Sequence, residues 1–252
     1  MNVLARWSAP FALLLLVAAP GCSNPAADVT AAKVGDAQPV PGESDATPAD
    51  AGLEAEAEES DAAPVAADEA ALAAAEEAAF DGSNSSIDFV GSKLVGSSHD
   101  GGFKTFTGRF VLPAGGDSIR SVSVTIDMNS IWSDNDRLTG HLKNEDFFEV
   151  ETYPESEFVS TAIVADTSEG GTHEITGNLT LHGVTKSVSF PATVAITDEA
   201  VSLDSEFKID RTIWGIVYGS EADVRDNIIN KEVVIRLDVD APRGAEAEEA
   251  AE

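Results

Sequence analysis

The sequence predicts an all-β domain over residues 86–241. Eight antiparallel strands would be closed as a barrel or stacked as a sandwich, with one or two short helices inserted between the third and fourth strands. Three observations carry this reading. Apolar and polar residues alternate with period two, glycine-rich turns punctuate them at regular intervals, and a single region breaks the rhythm with helical spacing.

The strands follow in order. Ile87–Leu94 and Phe103–Leu112 open the domain. In SVSVTIDM one face collects Val122, Val124, Ile126 and Met128. The fourth strand is Phe158–Val164, and in the fifth, HEITGNLTL, Ile175, Gly177, Leu179 and Leu181 share a side. Ser187–Ile196 is the sixth. VSLDSEFKI aligns Val201, Leu203, Phe207 and Ile209, and EVVIRLDV aligns Val233, Ile235, Leu237 and Val239. Side chains of a strand alternate between its faces, so each run marks a half-buried strand. Turns are expected at DGG 100–102, PAGGD 113–117, SEGG 168–171 and HGVTK 182–186, where Gly183 supplies a backbone angle that other residues avoid. Between strands three and four, DNDRLTGHLKNEDFFEV spaces Leu138, Leu142 and Phe147 as a helix does. Asp134 or Asn135 can cap one start and Asn144 or Glu145 a second. An eight-stranded barrel is near the size at which its interior either fills with side chains or holds one ligand.

The flanks read differently. Residues 1–22 combine Arg6, a short apolar run from Phe11 to Ala19, and small residues before Cys22, the only cysteine. This is a secretory signal layout, too short to span a bilayer, and it resembles the lipoprotein type in which the cysteine is lipidated. An exported chain held at the cell envelope or periplasm, anchored to a membrane through Cys22, is the expectation. Residues 23–85 carry 15 acidic residues and one lysine, and Phe80 is their only aromatic residue. Such a segment buries too little apolar surface to offset chain entropy, so a disordered tether with a reach of roughly 40–50 Å is expected. Within it, residues 66–79 favour a transient helix. Residues 242–252 read as a disordered acidic tail.

Net charge is −30, with 45 acidic against 15 basic residues, and about half of the imbalance lies outside the predicted domain. Phosphate backbones need cations to displace their counterions, so nucleic acid is excluded as a partner. One cysteine excludes an internal disulfide. His99, His141, His173 and His182 are scattered, with no HxH or HExxH pair and no thiolate, so no metal site is expected.

Four strings, in order, carry a family resemblance: IDFVGSKLVGSSHDGGFKTFTGRF (87–110), HLKNEDFFEVETYPESEF (141–158), GNLTLHGVTKSVSF (177–190) and IDRTIWGI (209–216). The chain resembles the YceI-like family of bacterial envelope proteins across the whole of residues 86–241. The resemblance implies a lipocalin-like barrel with a long apolar cavity that binds polyisoprenoid or another long amphiphilic lipid. It implies no cofactor and no catalysis. Where many relatives have a histidine-serine pair in the first strand, this chain has Phe89-Val90-Gly91-Ser92, so contacts of that pair do not transfer.

The acid-rich stretch 141–158 then reads as the solvated outside of an element whose Phe147 and Phe148 point inward, with Tyr153-Pro154 ending the helix. The ligand-lining candidates are Phe89, Phe103, Phe106, Phe110, Phe147, Phe148, Phe158, Phe190, Phe207 and Trp214, with plain core packing as the alternative for each. His141 is placed to orient a head group. Arg211 could pair with a lipid phosphate or carboxylate, or with Asp210. The expected function is carriage or sequestration of a long-chain isoprenoid or related amphiphile. Two alternatives stand: an enzyme acting on a lipid-like molecule through His141 and nearby carboxylates, and a packed barrel serving as an interaction module. An edge left open by the helical insertion would allow a homodimer.

Overall fold

The structure is a computed structural model that describes residues 24–41, 75–113, 115–166, 168, 170–220 and 228–244. The segment expected to be a signal, with Cys22, the greater part of the expected acidic tether and the end of the tail lie outside the described residues.

Twelve strands form one curled antiparallel sheet. They are β1 (Lys33–Asp36), β2 (Glu76–Asp81), β3 (Ser86–Ser92), β4 (Ser98–Phe103), β5 (Phe106–Leu112), β6 (Ser121–Asp127), β7 (Ile131–Ser133), β8 (Glu155–Ala165), β9 (His173–Leu181), β10 (Val184–Ile196), β11 (Ala200–Asp210) and β12 (Glu232–Pro242). The order around the wall is β2-β5-β6-β8-β9-β10-β11-β12-β3-β4-β7, with β1 attached separately to β10. All eight predicted strands are present. The excess of four has specific causes. The predicted turn at 100–102 lies inside β4, and its glycines serve close approach: a Cβ on Gly101 would fall 2.4 Å from the Phe89 ring and 2.5 Å from the Trp132 carbonyl oxygen. β7 has only three residues, too few to show a period.

The other two extra strands correct the tether. β2 pairs along β5 from Glu76↔Leu112 to Asp81↔Thr107, burying Ala78 and Phe80. The helix expected over 66–79 is thus replaced by strand from Glu76 onward, because a partner strand outweighs a weak local preference. β1 pairs β10 from Lys33↔Ser189 to Asp36↔Lys186. Its approach is tied to β11, where Ala32 N–H donates to Lys208 O and Lys208 N–H donates to Thr30 O, both at 2.9 Å. Ala26 is buried against Val90 and Val234. Pairing between β10 and β11 runs only from Thr193↔Asp204 to Ile196↔Val201. β1 therefore fills the gap where those two strands part. The tail also begins later than expected: β12 runs to Pro242, and Arg243 donates to both Glu76 oxygens at 2.7 and 2.6 Å.

The inserted helix is α1 (Asp136–Leu142), and Asn135 Oδ1 accepts from Leu138 N–H at 3.1 Å as its cap. Residues 143–154 continue as turns, with Glu149 in the left-handed region (φ 45°). Gly183 adopts φ 71° in the β9–β10 hairpin, as the sequence requires. Two 3-10 turns, Met128–Ser130 and Arg211–Trp214, complete the fold.

Candidate functional site

The long strands run the length of the barrel between two ends that differ in content. At one end β2, β5, β6 and the connection between the last two bring together Phe80, Phe106, Phe110, Leu112, Ile119 and Val122, all buried in one cluster with Val201, Leu203, Val239 and Ala241. Phe80 packs 5.2 Å from Phe110, and its ring lies over Gly108. At the other end, where α1 and the 143–154 turns lie, the same strands enclose a cavity of about 720 Å³.

Continuing the strand pattern explains the cavity wall. Inward faces contribute Ile87 and Phe89 from β3, Phe103 from β4, Val124 and Ile126 from β6, and Phe158 from β8. Leu179 and Leu181 come from β9, Val188 and Phe190 from β10, Phe207 and Ile209 from β11, and Val233, Ile235 and Leu237 from β12. Leu138, His141, Leu142, Phe147 and Phe148 from α1 and the turn after it cover one side. The aromatic rings form a linked belt. Phe190 stacks on Phe207 at 4.3 Å and 11°, Phe158 lies 5.8 Å from Phe190, and Phe89 lies 6.0 Å from Phe103. Polar lining is concentrated toward the helical end, in Ser92, Lys93, His99, Asn135, Arg137 and Tyr218. That end is the mouth.

Of the aromatic candidates, Phe89, Phe103, Phe147, Phe148, Phe158, Phe190 and Phe207 line the cavity, together with His141 and Arg211. Phe106, Phe110 and Trp214 do not. The first two belong to the packed end. Trp214 is fully buried and its indole Nε1–H donates to Leu179 O at 3.2 Å, so it fills core. The aliphatic majority of the wall was not singled out from the sequence, although the period-two faces contain those residues. Tyr218 carried no signal.

Arg211 is bonded chiefly to backbone. Its guanidinium reaches the carbonyls of Ile216, Tyr218 (2.8 Å), Ile229 (3.4 Å) and Asn230 (3.3 Å). Asp210 instead accepts from Thr212 N–H and Oγ1–H at 2.9 and 2.6 Å. Burial pushes Arg211 below its ordinary pKa, with Asp210 acting in the opposite sense. A five-donor fork is suited to gathering several carbonyls at once. Arg211, which also lines the cavity, holds the loops of the mouth together.

His141 Nε2 lies 2.9 Å from Asp146 Oδ2, and its ring makes edge contacts with Phe147 and Tyr218, both at 5.0 Å. His99 Nδ1 lies 2.8 Å from Asp134 Oδ1. Among the described residues the carboxyls whose ionisation their surroundings shift are Glu76, Asp81, Asp166 and Glu174; all are lowered by hydrogen bonds, and none lines the cavity. A carboxylic acid poised to donate a proton needs the opposite shift. Among the described residues no cluster of three or more His, Cys, Asp or Glu is arranged to hold a metal ion.

Comparison with known proteins follows the same architecture. A UPF0312 protein of Pseudomonas putida strain W619 is 41% identical over 113 residues, which is 45% of this chain and 58% of that protein. A second UPF0312 protein, from P. putida strain GB-1, is 40% identical over the same share of each. The chain thus spans less than two thirds of the length of these relatives. Among solved structures, Burkholderia cenocepacia BcnA superposes with a TM-score of 0.56 at 26% identity, covering 64% of this chain and 99% of that one. A polyisoprenoid binding domain from Saccharophagus degradans, implicated in plant cell wall breakdown, shares the fold with a TM-score of 0.51 at 18% identity, covering 67% and 98%. The YceI-like domain model matches residues 79–241, taking in Phe80 and all of the barrel strands from β3 onward, and the chain belongs to the YceI-like family.

Proposed function

We propose that the protein binds a long-chain isoprenoid or a related amphiphilic lipid in the barrel cavity, and carries or sequesters it in the cell envelope. The observation that carries this reading is the cavity of about 720 Å³ walled by inward aliphatic and aromatic side chains. Its volume lies within the range of small-molecule sites, which are mostly apolar with a few placed polar groups. The family supports the same reading, as does the polyisoprenoid-binding neighbour that shares the fold.

The driving force is apolar burial. At about 0.8 kcal/mol per CH₂, a dozen enclosed carbons would contribute roughly 10 kcal/mol before association costs, which places micromolar affinity within reach. The belt of Phe158, Phe190 and Phe207 gives an unsaturated chain flat surfaces to lie against. The polar residues of the mouth would meet the head group, with His141 held in orientation by Asp146.

Mass spectrometry of organic extracts from natively purified protein tests this directly. A recurrent co-purifying lipid is the expected result. Repeatedly empty preparations that also fail to bind offered prenyl lipids would support a barrel that serves only as an interaction module. His141→Ala separates the enzyme alternative: carriage predicts weakened or unchanged retention and no turnover to lose.

A further inference from the structure

Large apolar side chains that stay exposed are unevenly placed. Among the described residues they are Leu94 (59%), Val95 (65%), Val164 (54%), Ile213 (39%), Val217 (58%) and Tyr218 (43%). Val164 stands alone on β8. The other five all belong to loops at the mouth of the cavity.

Those loops form one platform. Leu94 N–H donates to Ile228 O at 2.8 Å, Ile229 bridges to Lys93, and Ile229 N–H donates to Gly219 O at 2.9 Å. Arg211, in the same 3-10 turn as Ile213, binds the carbonyls of Ile216 and Tyr218. The apolar rim is continuous with the cavity, because Lys93, Ile216, Tyr218 and Ile229 line both. A contiguous exposed apolar patch on a water-soluble surface marks an interaction site rather than chance exposure.

A second observation points to the same end. The N-terminal strap is fixed to the barrel, with Lys208 Nζ donating to Ala26 O at 2.9 Å and Ser92 Oγ donating to Asn24 Oδ1 at 3.5 Å. Ser92 precedes Lys93 and Leu94 at the rim. The described chain thus begins beside the mouth, at Asn24.

We infer that the rim formed by Leu94, Val95, Ile213, Val217 and Tyr218 is a bilayer-docking face that sets the cavity mouth against the lipid surface. This rests on the reading of the cavity as a lipid site, since a guest insoluble in water needs a dry route between membrane and barrel. Docking is through apolar side chains and not through charge. Among the described residues Lys93 and Arg137 line the mouth, but Asp134 and Asp146 are held there by His99 and His141, and the chain as a whole carries −30. Zwitterionic bilayers are therefore preferred over anionic ones.

The test is flotation with phosphatidylcholine vesicles, using the chain from Ser23 onward, which retains every strand and contact described above and has no lipid anchor. The double variant L94D/V217D should lower vesicle partitioning at least tenfold, and V164D should leave it unchanged. Both should keep the unmodified chain's melting temperature and its affinity for farnesol added from detergent, since none of the three residues lines the cavity. Failure of the unmodified chain to float, or equal flotation of L94D/V217D, overturns the docking face. So does a dimer in sedimentation that L94D/V217D dissociates while vesicles bind neither form, because the rim would then seat a second copy. Rim-dependent flotation without any farnesol binding supports the docking face and rejects the cavity reading alone.

Discussion

The two ends of the barrel are made by the same strands with the same alternation of side chains. At one end Phe80, Phe106, Phe110 and Leu112 meet and leave no room; at the other Phe89, Phe103, Phe158, Phe190 and Phe207 surround a void. Along β12, Val233, Ile235 and Leu237 face the cavity, while Val239 and Ala241 on the same face lie in packed core. Along β11 the change falls between Leu203 and Phe207, and along β6 between Val122 and Val124. The difference comes from what is added to the wall at each end. β2 extends the wall beside β5 at the packed end and inserts Phe80, and the Arg243–Glu76 pair ties β2 to the end of β12. At the mouth the covering pieces are a two-turn helix and loops organised by Arg211, which enclose space without filling it. A hollow half is tolerable because the solid half supplies the stability.

That contrast can be tested by truncating one phenylalanine from each half. Phe110→Ala should cost about 3–5 kcal/mol in urea denaturation, because a fully buried ring is removed from close-packed surroundings. Phe158→Ala should cost distinctly less, since one side of its ring already faces open space. Equal losses would mean that both ends are packed alike. The next largest effect concerns β1. Ala26→Asp places a charge between Val90 and Val234 and should detach the strap, lowering stability by about 1–3 kcal/mol, read as a fall of several degrees in Tm. An unchanged Tm would show that residues 24–41 contribute nothing to the fold.

How much of this was legible depended on the kind of signal. The eight main strands, the Asn135 cap and the Gly183 hairpin were readable because period, cap chemistry and left-handed backbone are local properties. β1 and β2 were not. EEAAFD is poor strand sequence on its own and becomes a strand only because β5 offers an unpaired edge and a space above Gly108 for Phe80. The same limit applies to the site. Alternation states which residues point inward but not how far along the barrel they lie, so Phe106 and Phe110 could not be told from Phe103 and Phe158. Arg211 was expected to meet a ligand anion or Asp210, and its hydrogen-bond partners are carbonyls of loops that only the fold brings to it.

The smallest expected effect is electrostatic and belongs to the packed end. The hydrogen bond from Arg243 holds Glu76 below its ordinary value of 4.5. A carboxyl lowered in the folded state stabilises fully above its unfolded pKa, and that contribution fades as pH falls through the folded value. Glu76→Gln should therefore leave a shallower decline of Tm below about pH 4.5 and a slightly lower Tm at neutral pH. Parallel curves for the two proteins across that range would show the pair to be inert.

The void itself is the central claim, and filling it is the most direct measurement. Val124→Trp places an indole into the cavity from β6, where Val124 is only partly buried and faces the space. Equilibrium titration with farnesol should give saturable one-to-one binding to the unmodified protein and at least a tenfold loss in V124W, with Tm little changed. Undiminished binding in V124W, or a Tm that collapses because no space existed to receive the ring, would contradict the account.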